Sequence, residues 1–337
     1  MQKFVRRTLF AAVAFAAAAA SAHTEVKLAV TGSYSLPAEV LAKFEKNHDA
    51  KVTVIKMGSG NEMVNRLILT RSNSPLADAV YGLDNSTVYK AHHAGILADK
   101  QPAGAPVTVS LPYALAVNYG FVTLNYDKKW FQEKGLPLPQ SLDDLTKPAY
   151  KNLLAVPNPG TSSPGLSFLL ANIGGLGEKK AFEWWGKMRQ NGVKVTKGWS
   201  EAYYTEFTLN GGSRPLMVGY ATSPAAEVYY SKGKLKTPNM GNLFLPGGVY
   251  LQVEGAAVLK NSKQPALAAK LVQYLQSPEV QQAVPTSMWM YPAVKGTPAH
   301  PALVHAGVPK SHFAPKGQRI AQQQKSWVNQ WIRTVVK

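Results

Sequence analysis

Three short segments concentrate groups able to hold an anion. Gly160-Thr161-Ser162-Ser163 and Tyr220-Ala221-Thr222-Ser223 each run hydroxyls into a proline, Pro164 or Pro224, that suits the first turn of a helix. The free N–H groups of such a helix start attract phosphate or carboxylate, and the same residues serve equally well as plain caps. Two further Ser-Pro pairs, Ser74-Pro75 and Ser277-Pro278, read as helix starts with the hydroxyl at the N-cap. Gly58-Ser59-Gly60-Asn61 can curl its N–H groups around an anion. It lacks the Gly-Lys-Ser/Thr ending of a P-loop, and a tight turn explains it as well.

Aromatic rings form a second set. Trp199, Tyr220, Trp289 and Tyr291 fall at segment ends, where their faces could hold a flat heterocycle or a cation, or simply pack in a core. The pairs Tyr203-Tyr204 and Tyr229-Tyr230 raise ferric iron, which favours hard oxygen ligands, although ordinary packing accounts for them more simply. Catalysis finds little support. The chain has no cysteine, no Gly-x-Ser-x-Gly elbow and no His-Glu-x-x-His, and its seven histidines show no metal-ligand spacing. No enzyme, cofactor or metal site is expected.

The elements that must position these groups alternate. Residues 26–31 and 51–57 read as strands around a helix at 36–47, and a helix at 61–70 leads to a buried strand at 77–82. This is an α/β fold with an open, mostly parallel sheet flanked by helices. A long extended stretch, 107–126, carries the chain into a second α/β series with strands at 153–156 and 216–220 and helices at Ser163-Pro164 and Trp184-Trp185. The extended run 250–259 returns it, and helices at 266–275 and from Ser277 follow. Two crossings make a two-stranded hinge between two lobes, with a ligand cleft between them. The expected division is 23–114 and 254–288 for the first lobe and 115–253 for the second. Residues 289–337 form a C-terminal helical segment closing the cleft.

The first residues set the compartment. Lys3, Arg6 and Arg7 precede an apolar run of about a dozen residues, shorter than the roughly 20 that span a bilayer, and Ala20-Ser21-Ala22 completes a signal peptide, residues 1–22. Cleavage after Ala22 sends the chain to the periplasm. The 37 Lys and Arg against 19 Asp and Glu give +18, or +15 once the three basic residues of the leader are gone. Basic residues are scattered, with clusters no longer than pairs such as Lys128-Lys129, so no nucleic acid partner is expected. The field of the whole chain favours anions.

Tyr81-Gly82-Leu83-Asp84-Asn85, Thr161-Ser162-Ser163-Pro164-Gly165-Leu166, residues 195–203 (VTKGWSEAY), Thr222-Ser223-Pro224-Ala225, Tyr250-Leu251-Gln252-Val253-Glu254 and Trp289-Met290-Tyr291-Pro292 closely resemble, in this order, the periplasmic thiamine-binding proteins of bacterial ABC importers. The stretch 268–281 is shared more widely among extracellular solute-binding proteins. The resemblance implies a two-lobed type II periplasmic binding fold that carries thiamine, or its mono- and diphosphate, to a membrane permease and ATPase pair. It implies a monomer that meets the membrane only through that permease. Trp199 and Tyr220, with Ala221, Thr222 and Ser223, would contact the vitamin. Ser162 and Ser163 would meet its phosphate end, and Trp289 would pack on a ring. The family's loop after the second strand usually reads Asp-Gly where this chain has Ser59-Gly60, and its Tyr-Asp-Ser-Phe motif is Gly32-Ser33-Tyr34-Ser35 here. With fewer loop carboxylates and a positive chain, phosphorylated thiamine is expected to bind at least as well as thiamine. Asp84 and Glu201 remain as partners for the cation or aminopyrimidine, or as salt-bridging and capping residues. The alternative solute is ferric iron or another small anion. Thiaminases of this architecture rely on a cysteine nucleophile, which this chain lacks.

Overall fold

The computed structural model describes residues 24–71 and 75–337. The expected signal peptide and Ser74 lie outside these residues. Strands β1 (Thr24–Val30) and β2 (Ala50–Lys56) flank helix α1 (Ala38–His48), and α2 (Gly60–Thr70) leads to β3 (Ala79–Asp84) and α3 (Val88–His93). The long β4 (Leu115–Asp127) opens a second series: α4 (Lys128–Lys134), β5 (Leu154–Pro157), α5 (Ser163–Leu176), α6 (Glu178–Gln190), β6 (Lys194–Thr196) and the short α7 (Trp199–Glu201). It continues through β7 (Leu216–Tyr220), α8 (Ser223–Tyr230), β8 (Met240–Leu243) and β9 (Tyr250–Val258). Helices α9 (Pro265–Tyr274) and α10 (Pro278–Ser287), β10 (Tyr291–Pro292) and α11 (Gly317–Trp331) complete the chain.

The strands join in the order β2-β1-β3-β9-β4-β7-β5-β6, with β8 and β10 added to β4. Two parallel groups, β2-β1-β3 and β7-β5-β6, are thus bridged by an antiparallel pair, β9 and β4. β4 spans the junction because it pairs with β9 from Leu115 to Val122 and with β7 from Val122 to Tyr126. These are the two crossings read from the sequence, and they form the two-stranded hinge of a two-lobed type II periplasmic binding fold.

Alternation along the strands divides the cores. In the first lobe Leu28 packs with Phe44, Leu271 and Val284 on one face of the sheet, whereas Ala29 packs with Met63, Val64 and Ala91 on the other. In the second lobe Val156 and Val218 meet Phe168, Trp185, Trp327 and Trp331. The Trp185 and Trp331 rings sit edge to face with centroids 5.3 Å apart, which fixes α11 onto this lobe. Its outer side reaches back to the first lobe, where Gln324 Nε2 donates to Asn61 Oδ1 at 3.1 Å.

The helix starts differ from the Ser-Pro expectation by one position. Ser277 does cap α10, accepting from Val280 N–H, but α5 and α8 begin at Ser163 and Ser223, so Ser162 and Thr222 hold the N-cap positions. Neither makes a side-chain cap bond, which leaves their hydroxyls for other partners.

Candidate binding cleft

The sequence-derived site residues arrive at the cleft by different routes. β7 ends at Tyr220 and turns directly into α8, so Tyr220, Thr222 and Ser223 are delivered to the carboxyl end of the sheet, where open α/β sheets bind ligands. Trp199 stands at the start of α7, its ring stacked on Tyr203 at 4.8 Å and 15°. Trp289 follows α10 in a left-handed conformation, φ 53°, which costs a bulky residue about 1–2 kcal/mol. Two hydrogen bonds hold it there: Thr222 Oγ1 donates to its carbonyl at 2.7 Å, and its own Nε1 donates to Tyr230 Oη at 3.0 Å. The uncapped hydroxyl of Thr222 thus pins the loop after α10 to the start of α8.

These five residues line one cleft of about 690 Å³, within the roughly 300–1,000 Å³ typical of small-molecule sites. The second lobe contributes Tyr203, Tyr204, Glu227 and Tyr230 as well, the hinge strand contributes Gln252 and Glu254, and the first lobe contributes Ser33 and Met288. Tyr203, Tyr204 and Tyr230 are therefore wall residues, with Tyr203 committed to Trp199 and Tyr230 to Trp289, whereas Tyr229 is exposed and does not line the cleft. Burial raises the Tyr203 and Tyr220 phenols above the usual range, and nearby carboxylates push in the same direction, so both are neutral donors.

The remaining candidates sit elsewhere. Ala221 is fully buried beneath the cleft, its N–H bonded to Phe121 O and its carbonyl accepting from Gly307 N–H and Asn242 Nδ2. Ser59 is spent in a capping box: its hydroxyl accepts from Glu62 N–H at 3.4 Å, and its own N–H donates to Glu62 Oε2 at 2.6 Å. Gly60 is buried behind it in the first turn of α2. Ser162 and Ser163 open α5 and are absent from the cleft lining, but Ser167, one turn further, lies 3.5 Å from Gln252 Oε1. The start of α5 is thus adjacent to the hinge end of the cleft. Glu201 accepts from the Lys197 N–H at 2.7 Å, and Asp84 Oδ1 accepts from Ser86 and Thr87 in the turn before α3, so each carboxylate has local partners.

Among the described residues, the charged groups that line the cleft are Glu227 and Glu254, with no Lys, Arg or His. This is the reverse of the field expected from the overall charge, because the basic residues lie on the outer surface while the cleft collects carboxylates. Glu227 is braced by Asn239 Nδ2 and Met240 N–H at 2.8 and 3.1 Å. Glu254 accepts from Gln252 Nε2 at 2.8 Å, and its carboxyl is pushed up to about 7 by burial and then by the charge of Asp84. Sequence reasoning missed Glu254 as a site residue. The available signal was its alternation with Gln252, two polar residues two apart in an otherwise apolar strand, which places both on one face.

A hinge crossed by two strands and a cleft walled from both sides define a class of protein, a two-lobed receptor that closes on a small solute. The chain belongs to the bacterial extracellular solute-binding protein family, whose profile matches residues 74–324. It is a binding component and not an enzyme. It is 34% identical over 305 residues to a thiamine-binding periplasmic protein of Escherichia coli (strain K12), covering 89% of each chain. It is also 33% identical to a protein of the same description from Salmonella typhimurium, over 87% of this chain and 86% of that one. Among solved structures, a periplasmic thiamin binding protein superposes with a TM-score of 0.79 at 30% identity, covering 93% of this chain and 96% of the other.

Proposed function

We propose that the protein is a periplasmic receptor that captures thiamine in the interlobe cleft and delivers it to an ABC importer. The observation that carries this reading is a cleft walled by Trp199, Tyr203, Tyr204, Tyr220, Tyr230 and Trp289, whose charged lining groups are two carboxylates. Thiamine is a flat aminopyrimidine joined to a permanently cationic thiazolium. Ring faces hold such a cation by quadrupole attraction, and carboxylates add to it where water is excluded. The proteins of the same family named for thiamine binding support the choice of solute.

The mono- and diphosphate remain ligands in this reading. Their phosphate would extend past Gln252 to the start of α5, where Ser162 and Ser163 offer free hydroxyls and the helix N-terminus favours an anion. The two lining glutamates oppose a phosphate, so we place thiamine ahead of its diphosphate. Ferric iron fits the wall less well, since Tyr203 is stacked on Trp199 and the Tyr230 hydroxyl accepts from Trp289 Nε1.

In the same reading the first lobe comprises residues up to about 114 together with 254–288, the second comprises 115–253, and 289–337 straps the two. A leader, residues 1–22, directs export, and the protein acts as a monomer. Isothermal titration of residues 23–337, stripped of carried-over ligand, tests the proposal with thiamine and thiamine diphosphate in parallel. Thiamine binding tighter than about micromolar, near −8 kcal/mol, is expected, with weaker binding of the diphosphate. No heat from either would refute the proposal, and tighter diphosphate binding would refute the ranking.

A further inference from the structure

Glu254 occupies a singular position in the sheet. It is in register with Asp84 of β3 on one side and with Asn118 of β4 on the other, where the strands of the first lobe meet the hinge. Both neighbours sit beside a register shift, between Tyr81 and Leu83 and between Ala116 and Asn118, so this is the point at which the ladder bends. Asp84 is buried and turns its Oδ1 to the Ser86 N–H and to the Ser86 and Thr87 hydroxyls. Glu254 instead faces the cleft. Two carboxyl groups on directly paired residues repel when both are ionised, and among the described residues no basic side chain lines the cleft to offset them.

We propose that Glu254 is the residue that selects for positive charge in the ligand, and that capture of a cationic solute expels the proton Glu254 carries in the ligand-free protein. The inference rests on the thiamine reading above and adds to it a proton stoichiometry. A cation beside the carboxylate supplies the counter-charge that the protein lacks, so the ionised form is favoured in the complex and the protonated form without ligand. The proton passes from the carboxyl oxygen to solvent or buffer, and no covalent bond is otherwise changed.

The other groups that could titrate against Glu254 are few. Tyr81 from β3 is buried and accepts from Asn118 Nδ2, Tyr34 after β1 packs edge to face on Tyr81, and burial raises both phenols above the usual range. Tyr220 of β7 and Tyr250 of β9 are raised in the same way, α5 presents Ser167, and Glu227 faces the cleft from α8. The phenols therefore stay neutral between pH 6 and 8. The aminopyrimidine of thiamine titrates below that window.

The test is titration of residues 23–337 with thiamine at pH 6, 7 and 8, in PIPES and in imidazole, whose ionisation heats differ. With the Glu254 carboxyl pushed up to about 7, binding at pH 7 should release about half a proton, and affinity should be about tenfold higher at pH 8 than at pH 6. Glu254→Gln should bind more weakly at pH 8, release no proton and lose the pH dependence. Equal heats in the two buffers with a flat affinity in the wild type would overturn the proposal while leaving the thiamine reading intact. If Glu254→Gln does not fold, the wild-type proton count decides by itself. Absence of thiamine binding at every pH would overturn both.

Discussion

Replacing Trp289 with alanine isolates the aromatic half of the recognition argument. The indole is half-buried at the cleft wall and contributes in two ways, as a ring face and as the Nε1 donor to Tyr230 Oη at 3.0 Å. A desolvated cation on an indole face gains about 2 kcal/mol, and a hydrogen bond that holds a second aromatic in place adds about 0.5–1.5 kcal/mol. Together they predict a loss of roughly 2.5–3.5 kcal/mol, or about 60- to 300-fold in Kd for thiamine. Trp289→Phe keeps a face, loses the donor, and should cost only about fivefold. The cost in folding should be small, because the side chain is outside the principal cores and the backbone is held by Thr222 Oγ1. The assay is calorimetric titration of ligand-free protein, with thermal melts of each variant alongside. A Trp289→Ala protein that melts normally and binds thiamine within threefold of the wild type would refute both the cage and the placement of the ligand against this wall.

Other expectations follow from the same geometry. Asp84→Asn removes the charge that helps hold the Glu254 proton, so the midpoint of the pH-dependent affinity should move to lower pH, read by titration between pH 5 and 8. Because the folded state holds that proton more tightly than the unfolded chain, the stabilisation is full below the ordinary carboxylate range and is lost as pH rises through about 7. Melting in the absence of ligand should therefore show a decline from pH 5 to 8 that Glu254→Gln flattens. Trp331→Ala empties a fully buried site against Trp185 and should destabilise by about 3–5 kcal/mol in chemical denaturation. Gly165→Ala would drive a Cβ into the Pro157 carbonyl oxygen, forcing apart the β5–α5 turn; a melt unchanged from wild type would contradict that contact.

Much of this protein was legible from residue order alone. The β-α-β opening, the long extended runs that cross between lobes, and the polar C-terminal helix with Trp327 and Trp331 on one face all follow from periodicity, because strand and helix patterns are local and regular. The aromatic candidates Trp199, Tyr220 and Trp289 were legible too, since rings at segment ends fall where a cleft opens. Tertiary structure decided which polar groups were available. Ser59 looked open to an anion but is closed in a capping box with Glu62, whereas Thr222, read as a ligand contact, spends its hydroxyl on the Trp289 carbonyl. Net charge misled for a related reason: it sums over the surface, while the field a ligand meets is set by the few groups that face the cleft. Glu254 shows the limit most sharply. A single glutamate in a strand carries no local signature of its partners, and only the pairing of β3, β9 and β4 sets it beside Asp84, away from bulk water and open to the ligand.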